Sequence, residues 1–232
     1  RSAASRQRAD AAGLTDAGSL ADLIAAADTV VSVCPPDATL VVAETVRDLG
    51  GVARYVDANA IAPDTARQID AMVTEAGGVF VDGGIIGPPA NQAGTTRLYL
   101  SGDDAPLVAD AFGGSLVEAI ATEGGPGGAS ALKLCYAGWT KGSSALLLTM
   151  RSAAESAGVA DALMAEWDRS QPGLVERSTR TAAGAAPKAW RWVGEMDEIA
   201  AFLEALELPG GSFTAAAELY TRLEGCKDKF DP

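Results

Sequence analysis

Histidine is absent from all 232 residues. With it go the commonest general acid–base and the commonest metal ligand at neutral pH, so histidine-dependent triads and most zinc enzymes are excluded within this chain. Proton transfer therefore falls to Lys, Tyr, Asp or Glu. Cysteine is scarce: Cys34, Cys135 and Cys226 are odd in number and share no metal-site spacing. They are expected to be reduced, buried thiols of a cytoplasmic protein without a metal. No apolar run reaches the roughly 18 residues that a membrane span needs, and no basic-then-apolar signal opens the chain. Positive charge is also in short supply, with 18 Lys and Arg against 31 Asp and Glu, a net charge of −13 and a pI near 4.4. That field repels nucleic acid and anionic membrane surfaces as general partners, while leaving room for a local basic pocket. The chain opens on Arg1, not Met, which reads as a processed or missing start.

What is present is a folded, globular composition, 48% hydrophobic and 21% charged, enough for one large domain or two small ones. The first half alternates short apolar runs with helical stretches. Strands are expected at Thr29–Val33, Ala53–Asp57, Val79–Asp82 and Arg97–Ser101, with helices near 38–49, 63–76 and 105–112. Such alternation predicts parallel strands joined by crossovers. The strand ends carry Cys34-Pro35-Pro36-Asp37, Asn59 to Pro63, Gly83-Gly84 and Gly87-Pro88-Pro89. Each alone reads as an ordinary turn. Together they are expected to form one rim, because ligands of open α/β sheets bind beyond the carboxyl ends of the strands.

From Ser130 onward the pattern is helix after helix, broken at Gly158, Pro172-Gly173, Ala186-Pro187 and 208–211. Two domains are expected, 1–128 with a parallel sheet and 129–232 all-helical, divided by the Gly124–Gly128 loop. Immediately past that loop stands Lys133. A helix from about Ser130 to Ala157 would put Lys133, Tyr136, Ala137, Thr140, Lys141 and Ser144 on one polar stripe. Leu132, Leu134, Cys135, Trp139, Leu146 and Met150 would cover the remainder, so this helix is expected to be buried nearly all round with its stripe lining a cleft. A second constellation, Lys188 to Glu198, places Lys188, Arg191, Trp192 and Glu195 on one helical face. It reads either as a surface Arg191–Glu195 pair with packing tryptophans or as a pocket for an acid.

Asp57-Ala-Asn59-Ala-Ile-Ala-Pro63, Val81-Asp82-Gly-Gly-Ile-Ile-Gly87, Gly94 to Gly102 and the glycine-rich loop before Lys133 together resemble the β-hydroxyacid dehydrogenase superfamily, which includes 6-phosphogluconate dehydrogenase, 3-hydroxyisobutyrate dehydrogenase and the imine reductases. Lys188 to Met196 resembles a branch of 6-phosphogluconate-dehydrogenase-like oxidoreductases. The resemblance covers nearly the whole chain. It implies a Rossmann-type domain, a long interdomain helix and a helical domain that pairs in a homodimer. The implied activity is hydride transfer between NADP, or NAD, and a small hydroxy acid, carbonyl or imine. Lys133 would be the general acid–base, with Tyr136 as an alternative donor. By the same resemblance Arg1 and Ser2 would grip the 2′-phosphate, Cys34, Pro35, Pro36 and Asn59 would face the nicotinamide, and Gly83, Gly84, Ile85, Ile86, Lys141, Lys188, Arg191 and Trp192 would meet the substrate.

Two departures from the pattern stand out. Tyr136 and Ala137 stand where the dehydrogenases carry a His or Asn and then an Asn, and Ile86 stands where they carry a serine. The usual hydroxy-acid contacts are thereby removed. No Gly-x-Gly-x-x-Gly precedes Thr29, although that fingerprint cradles the pyrophosphate, so the sheet domain reads as lacking its first β-α-β unit. A non-catalytic scaffold or an inactive fragment of the same family is the competing reading.

Overall fold

The structure, a computed structural model, describes residues 3–185, 188–223 and 225. Arg1, Ser2, Cys226 and the break at 186–187 lie outside the described residues. The chain divides into two compact units, Arg1–Ser130 and Ala131–Pro232.

In the first unit, helices α1 (Ala3–Ala11) and α2 (Leu20–Ala26) lead into strand β1 (Thr29–Ser32). Then follow α3 (Thr39–Asp48), β2 (Arg54–Asp57), α4 (Pro63–Glu75), β3 (Val79–Ile86), β4 (Thr96–Ser101), α5 (Ala105–Ala111) and β5 (Val117–Ala121). The strands lie in the order β1-β2-β3-β4-β5. Side chains alternate across the sheet, which explains why neighbours in sequence enter different cores. Val30, Tyr55 and Phe80 pack with Ala43, Val46, Ala66, Ile69 and Val73 of α3 and α4, while Val56 and Val81 pack with Leu98, Leu100 and Val108. Helix α4 starts with Pro63 at its first position, where the missing N–H costs nothing.

Two sequence expectations need correction here, and one strand was not expected. The sheet is not wholly parallel, since β3 pairs antiparallel with β4. Only nine residues separate Ile86 from Thr96, fewer than the dozen or so that a parallel crossover requires. The turn is tight enough to need Gly87, whose φ is +124° and where a Cβ would overlap the Thr95 carbonyl. Gly83 to Ile86 are not a strand-end loop: they continue β3, opposite Leu100 to Arg97. And β5, paired parallel with β4, had no expectation at all, because Val117–Ala121 carries only a short apolar signal.

Helix α6 (Gly128–Ala137) begins in the first unit and continues into the second. It does not run on to Ala157. A π-helical turn at Gly138–Gly142 separates it from α7 (Ser143–Ser156). Helices α8 (Ala160–Ser170), α9 (Leu174–Ala185), a 3₁₀ turn (Ala189–Trp192), α10 (Val193–Ala205) and α11 (Gly211–Arg222) complete the unit. Its core joins Leu134, Ala145, Met196, Ile199, Ala217 and Tyr220. The π turn has a local cause. Gly138 and Gly142 both abut the Phe213 ring, and a Cβ on Gly142 would come within 2.7 Å of it. Hydroxyls serve the loosened carbonyls: Thr140 donates to Tyr136 O at 3.0 Å, Ser144 to Thr140 O at 2.7 Å and Tyr220 to Lys141 O at 2.6 Å.

One extra residue turns everything after it by about 100° relative to a continuous α-helix. The expected all-round burial is not observed, with Trp139 71%, Leu146 63% and Met150 43% exposed. Cys135 is exposed and Cys34 is half-buried, so neither is the buried thiol expected.

Candidate active site

A polar row crosses the sheet of the first unit. Ser32 pairs with Asp57, Asp57 with Asp82, and Asp82 with Ser101, and all four are buried. Two carboxylates inside a core are costly unless their hydrogen bonds are met. Asp57 accepts from the Asn59 backbone N–H at 3.0 Å and the Asn59 amide at 2.9 Å. The same amide donates to Ser32 Oγ at 3.1 Å, and its oxygen accepts from Cys34 N–H at 2.6 Å. Asn59 thus ties the loops after β1 and β2 together. The Cys34 thiol lies 3.7 Å from Ser32 Oγ and 3.9 Å from Thr39 Oγ1. Pro35 and Pro36 are exposed beside it and lead into α3.

Asp82 is bound differently. Its carboxylate accepts from Ser130 N–H at 2.8 Å, Ser130 Oγ at 2.6 Å and Ser101 Oγ at 3.4 Å, while Ser101 Oγ accepts from Ala129 N–H at 2.9 Å. Burial pushes the Asp82 carboxyl above its ordinary pKa, and these hydrogen bonds oppose the shift. Gly128 N–H bonds Gly125 O at 3.0 Å. The N–H groups of Gly128, Ala129 and Ser130 are consequently met by the protein itself, so this first turn of α6 does not offer them to a phosphate.

In the second unit, Lys133 is half-buried on α6 and Tyr136 is 49% exposed. Ala137, expected on their stripe, is buried in the core. Lys141 leaves the stripe altogether. From the π turn it forms an ion pair with Glu195 and places its Nζ 5.7 Å from the Trp192 ring centroid. Lys188 brings its Nζ to 6.0 Å from the same ring. Tyr220 meets Trp192 edge-on at 5.2 Å, and burial pushes its phenol up, keeping it protonated. Arg191 instead lies over Trp190, 5.8 Å from its centroid.

Lys188, Arg191, Trp192 and Glu195 therefore do not share one helical face, and Glu195 takes Lys141 as its partner. The 3₁₀ turn at Ala189–Trp192 has three residues per turn, so helical periodicity starts only at Val193. An apolar groove of about 520 Å³ also opens on this unit, lined by Trp139, Leu146, Thr149, Phe213 and Ala216 among others.

Sequence reasoning assigned no role to Asp82, Ser101, Ser130 or Tyr220, and it offered Glu195 the partner Arg191 rather than Lys141. One signal was available: Tyr55-Val56-Asp57 and Phe80-Val81-Asp82 repeat the same pattern in neighbouring strands.

Residues 154–223 match a family described as a domain of unknown function, DUF1932. Of the solved structures, a conserved hypothetical protein from Sinorhizobium meliloti 1021 is 28% identical with a TM-score of 0.76, over 94% of this chain and 74% of that one. The conserved protein MTH1747 is 27% identical with a TM-score of 0.78, over 98% and 86%, and was itself described as similar to 3-hydroxyacid dehydrogenases. Mycobacterium tuberculosis 3-hydroxyisobutyrate dehydrogenase, solved with L-serine, is 17% identical with a TM-score of 0.72, over 92% and 80%. The chain has the 3-hydroxyacid dehydrogenase fold. Streptomyces aurantiacus imine reductase shares this fold at 18% identity and a TM-score of 0.53. No curated protein sequence matches the chain. The fold expected from the sequence, a Rossmann-type sheet followed by a helical region, is the one observed. Among the described residues no helix is long and apolar enough to cross a membrane.

Proposed function

We propose that this 3-hydroxyacid-dehydrogenase-like protein is a nicotinamide-dependent reductase or dehydrogenase acting on a small carbonyl or imine, with NADP as the favoured cofactor and NAD as the other candidate. The observation that carries it is Lys133, a half-buried lysine near the start of α6 in a chain of this fold.

The residues present fit one end of the cofactor. Asn59 holds the Cys34 backbone beside exposed Pro35 and Pro36, a braced, solvent-facing loop suited to the nicotinamide. The α6 amino end does not fit the pyrophosphate, because Asp82 and Ser101 already occupy its donors. Nicotinamide supplies or accepts the hydride when bound. Lys133 delivers or removes the proton at the substrate heteroatom, a contribution of about 10²–10⁴-fold, and Tyr136 is the alternative donor. Lys188 beside Trp192 offers a cation and an aromatic face to a substrate acid. Lys141 neutralises Glu195 there, and Arg191, turned onto Trp190, is the weakest of the assigned substrate contacts. Gly83 to Ile86 lie within β3, where they can offer the substrate backbone and packing only. The exposed Trp139 and Leu146 support a homodimer through the helical region, to be read as twice the chain mass by ultracentrifugation.

The test is titration with NADPH and NADH, followed by turnover on a panel of carbonyls and imines for the parent, Lys133→Ala and Tyr136→Phe. Lys133→Ala is expected to bind nicotinamide normally and lose at least 100-fold in kcat. Failure to bind either nucleotide, or unchanged turnover in Lys133→Ala, would remove the reductase reading.

A further inference from the structure

We propose that Asp82 is the positioning residue for Lys133, holding the first turn of α6 to the sheet from a strand 48 residues earlier in the chain. The proposal rests on the catalytic reading of Lys133 given above.

Helices are commonly capped by a serine, threonine or aspartate at their own entrance. Helix α6 is entered through Gly127 and Gly128, which have no side chain to offer. Its cap is instead assembled from elsewhere. Ser130 gives both its N–H and its hydroxyl to Asp82, and Ala129 gives its N–H to Ser101, which in turn donates to Asp82. A local cap satisfies orphan donors and does no more. A cap from β3 and β4 also fixes where the helix begins relative to those strands. The negative end of this arrangement meets the positive end of the helix dipole.

Nothing in the group is loose. Asp82 and Ser101 are fully buried and Ser130 is 1% exposed. The approach is so close that a Cβ on Gly128 would lie 3.1 Å from Ser101 Oγ and 2.6 Å from Glu123 O. Lys133 follows Ser130 by three residues, or about 4.5 Å of helix rise. Any slackening of the first turn is therefore passed to the lysine with almost no intervening chain to absorb it.

The test compares Asp82→Asn, Asp82→Ala and Ser130→Ala with the parent chain. Asn keeps an acceptor for the Ser130 N–H, Ala keeps none, and Ser130→Ala removes the hydroxyl bond alone. Deuterium exchange in 128–137 is expected to rise at least tenfold in Asp82→Ala and by less in the other two, with 54–57 unchanged. Turnover per nicotinamide-binding molecule should fall in the same order, up to about 100-fold, the scale on which misplacing a reacting group by an ångström acts. The KM for nicotinamide should stay within about twofold. A purely structural residue would lower the folded fraction and leave turnover per binding-competent molecule intact, and that outcome overturns the proposal. If Asp82→Ala does not fold, Asp82→Asn and Ser130→Ala decide it: unchanged α6 exchange and unchanged kcat in both would also overturn it. Lys133→Ala with full turnover refutes the catalytic reading and Asp82's role with it, whereas exchange that responds to Asp82 alongside an essential Lys133 supports both.

Discussion

Gly142→Ala should change the sign of its effect on stability according to what stands at position 213. In the parent protein the new methyl would come within 2.7 Å of Phe213 Cε1, inside van der Waals contact. The ring also stands close to Gly138, where a Cβ would lie 3.4 Å from it, so it has little room along the helix and is expected to swing out toward the open groove. Overpacking of this kind costs about 1–3 kcal/mol. Against it stands the better helix propensity of alanine, about 1 kcal/mol. Together the two effects leave an expected loss of about 1 kcal/mol. With Phe213→Leu the offending ring atom is gone, the propensity gain stands alone, and the same substitution should stabilise by about 1 kcal/mol. Urea unfolding followed by tryptophan fluorescence reads this directly, since Trp139, Trp167, Trp190 and Trp192 are all four tryptophans of the chain and all lie in the second unit. Equal shifts of the midpoint in both backgrounds, at constant m-value, would refute the account of the π turn as a consequence of two glycines against one ring.

Lys141→Met should cost about 1–3 kcal/mol, because it strands Glu195 in a site where both side chains are largely shielded, 24% and 21% exposed. Adding Glu195→Gln should recover part of that loss, and a double mutant no better than Lys141→Met would argue that the pair is incidental. Asp82 makes a prediction in pH. Its raised pKa means that the folded protein holds this proton more tightly than the unfolded chain, so its contribution to stability is complete in acid and is lost as pH rises from about 4 through the raised value. Comparing unfolding of the parent and Asp82→Asn from pH 4 upward should therefore show the balance moving toward the asparagine variant. A balance moving the other way would mean that the hydrogen bonds from Ser130 outweigh the burial.

The β1-to-α5 succession was readable because burial in a sheet imposes short patterns: Thr29 to Ser32, Arg54 to Asp57 and the Ala66, Ile69, Val73 spacing of α4 each carry their own period. The direction of β4 was also implicit, in the nine residues left for its connection. The break in the long helix was not readable. Gly138 and Gly142 look tolerable in any helix, and only the arrival of Phe213 from α11, some 70 residues later, makes a wider turn the better packing. The polar stripe could not continue past that break, and Lys141 turns instead to Glu195. The pairing of Lys141 with Glu195 is of the same kind, since a sequence separation of 54 hides it from any local pattern.

The glycine-rich loop before α6 does more than divide the two domains expected from the sequence. Glycines leading into a helix suggest a phosphate cradle, because such an end presents unpaired N–H groups to an anion. Here an anion is already present, and it is part of the chain. Asp82 stands in register with Asp57, yet the two carboxylates do opposite things: one braces the Asn59 and Cys34 loop within the first unit, the other secures the helix that carries Lys133. Glycine at 127 and 128 is then required by the closeness of Pro63 and Ser101 rather than by any ligand. A phosphate that stabilised the protein by binding at this loop would have to displace Asp82. The Asp82→Asn variant, which removes the competing charge, is accordingly the one in which weak phosphate binding there should first become detectable by calorimetry, and equal binding by the parent would show that the loop is open after all.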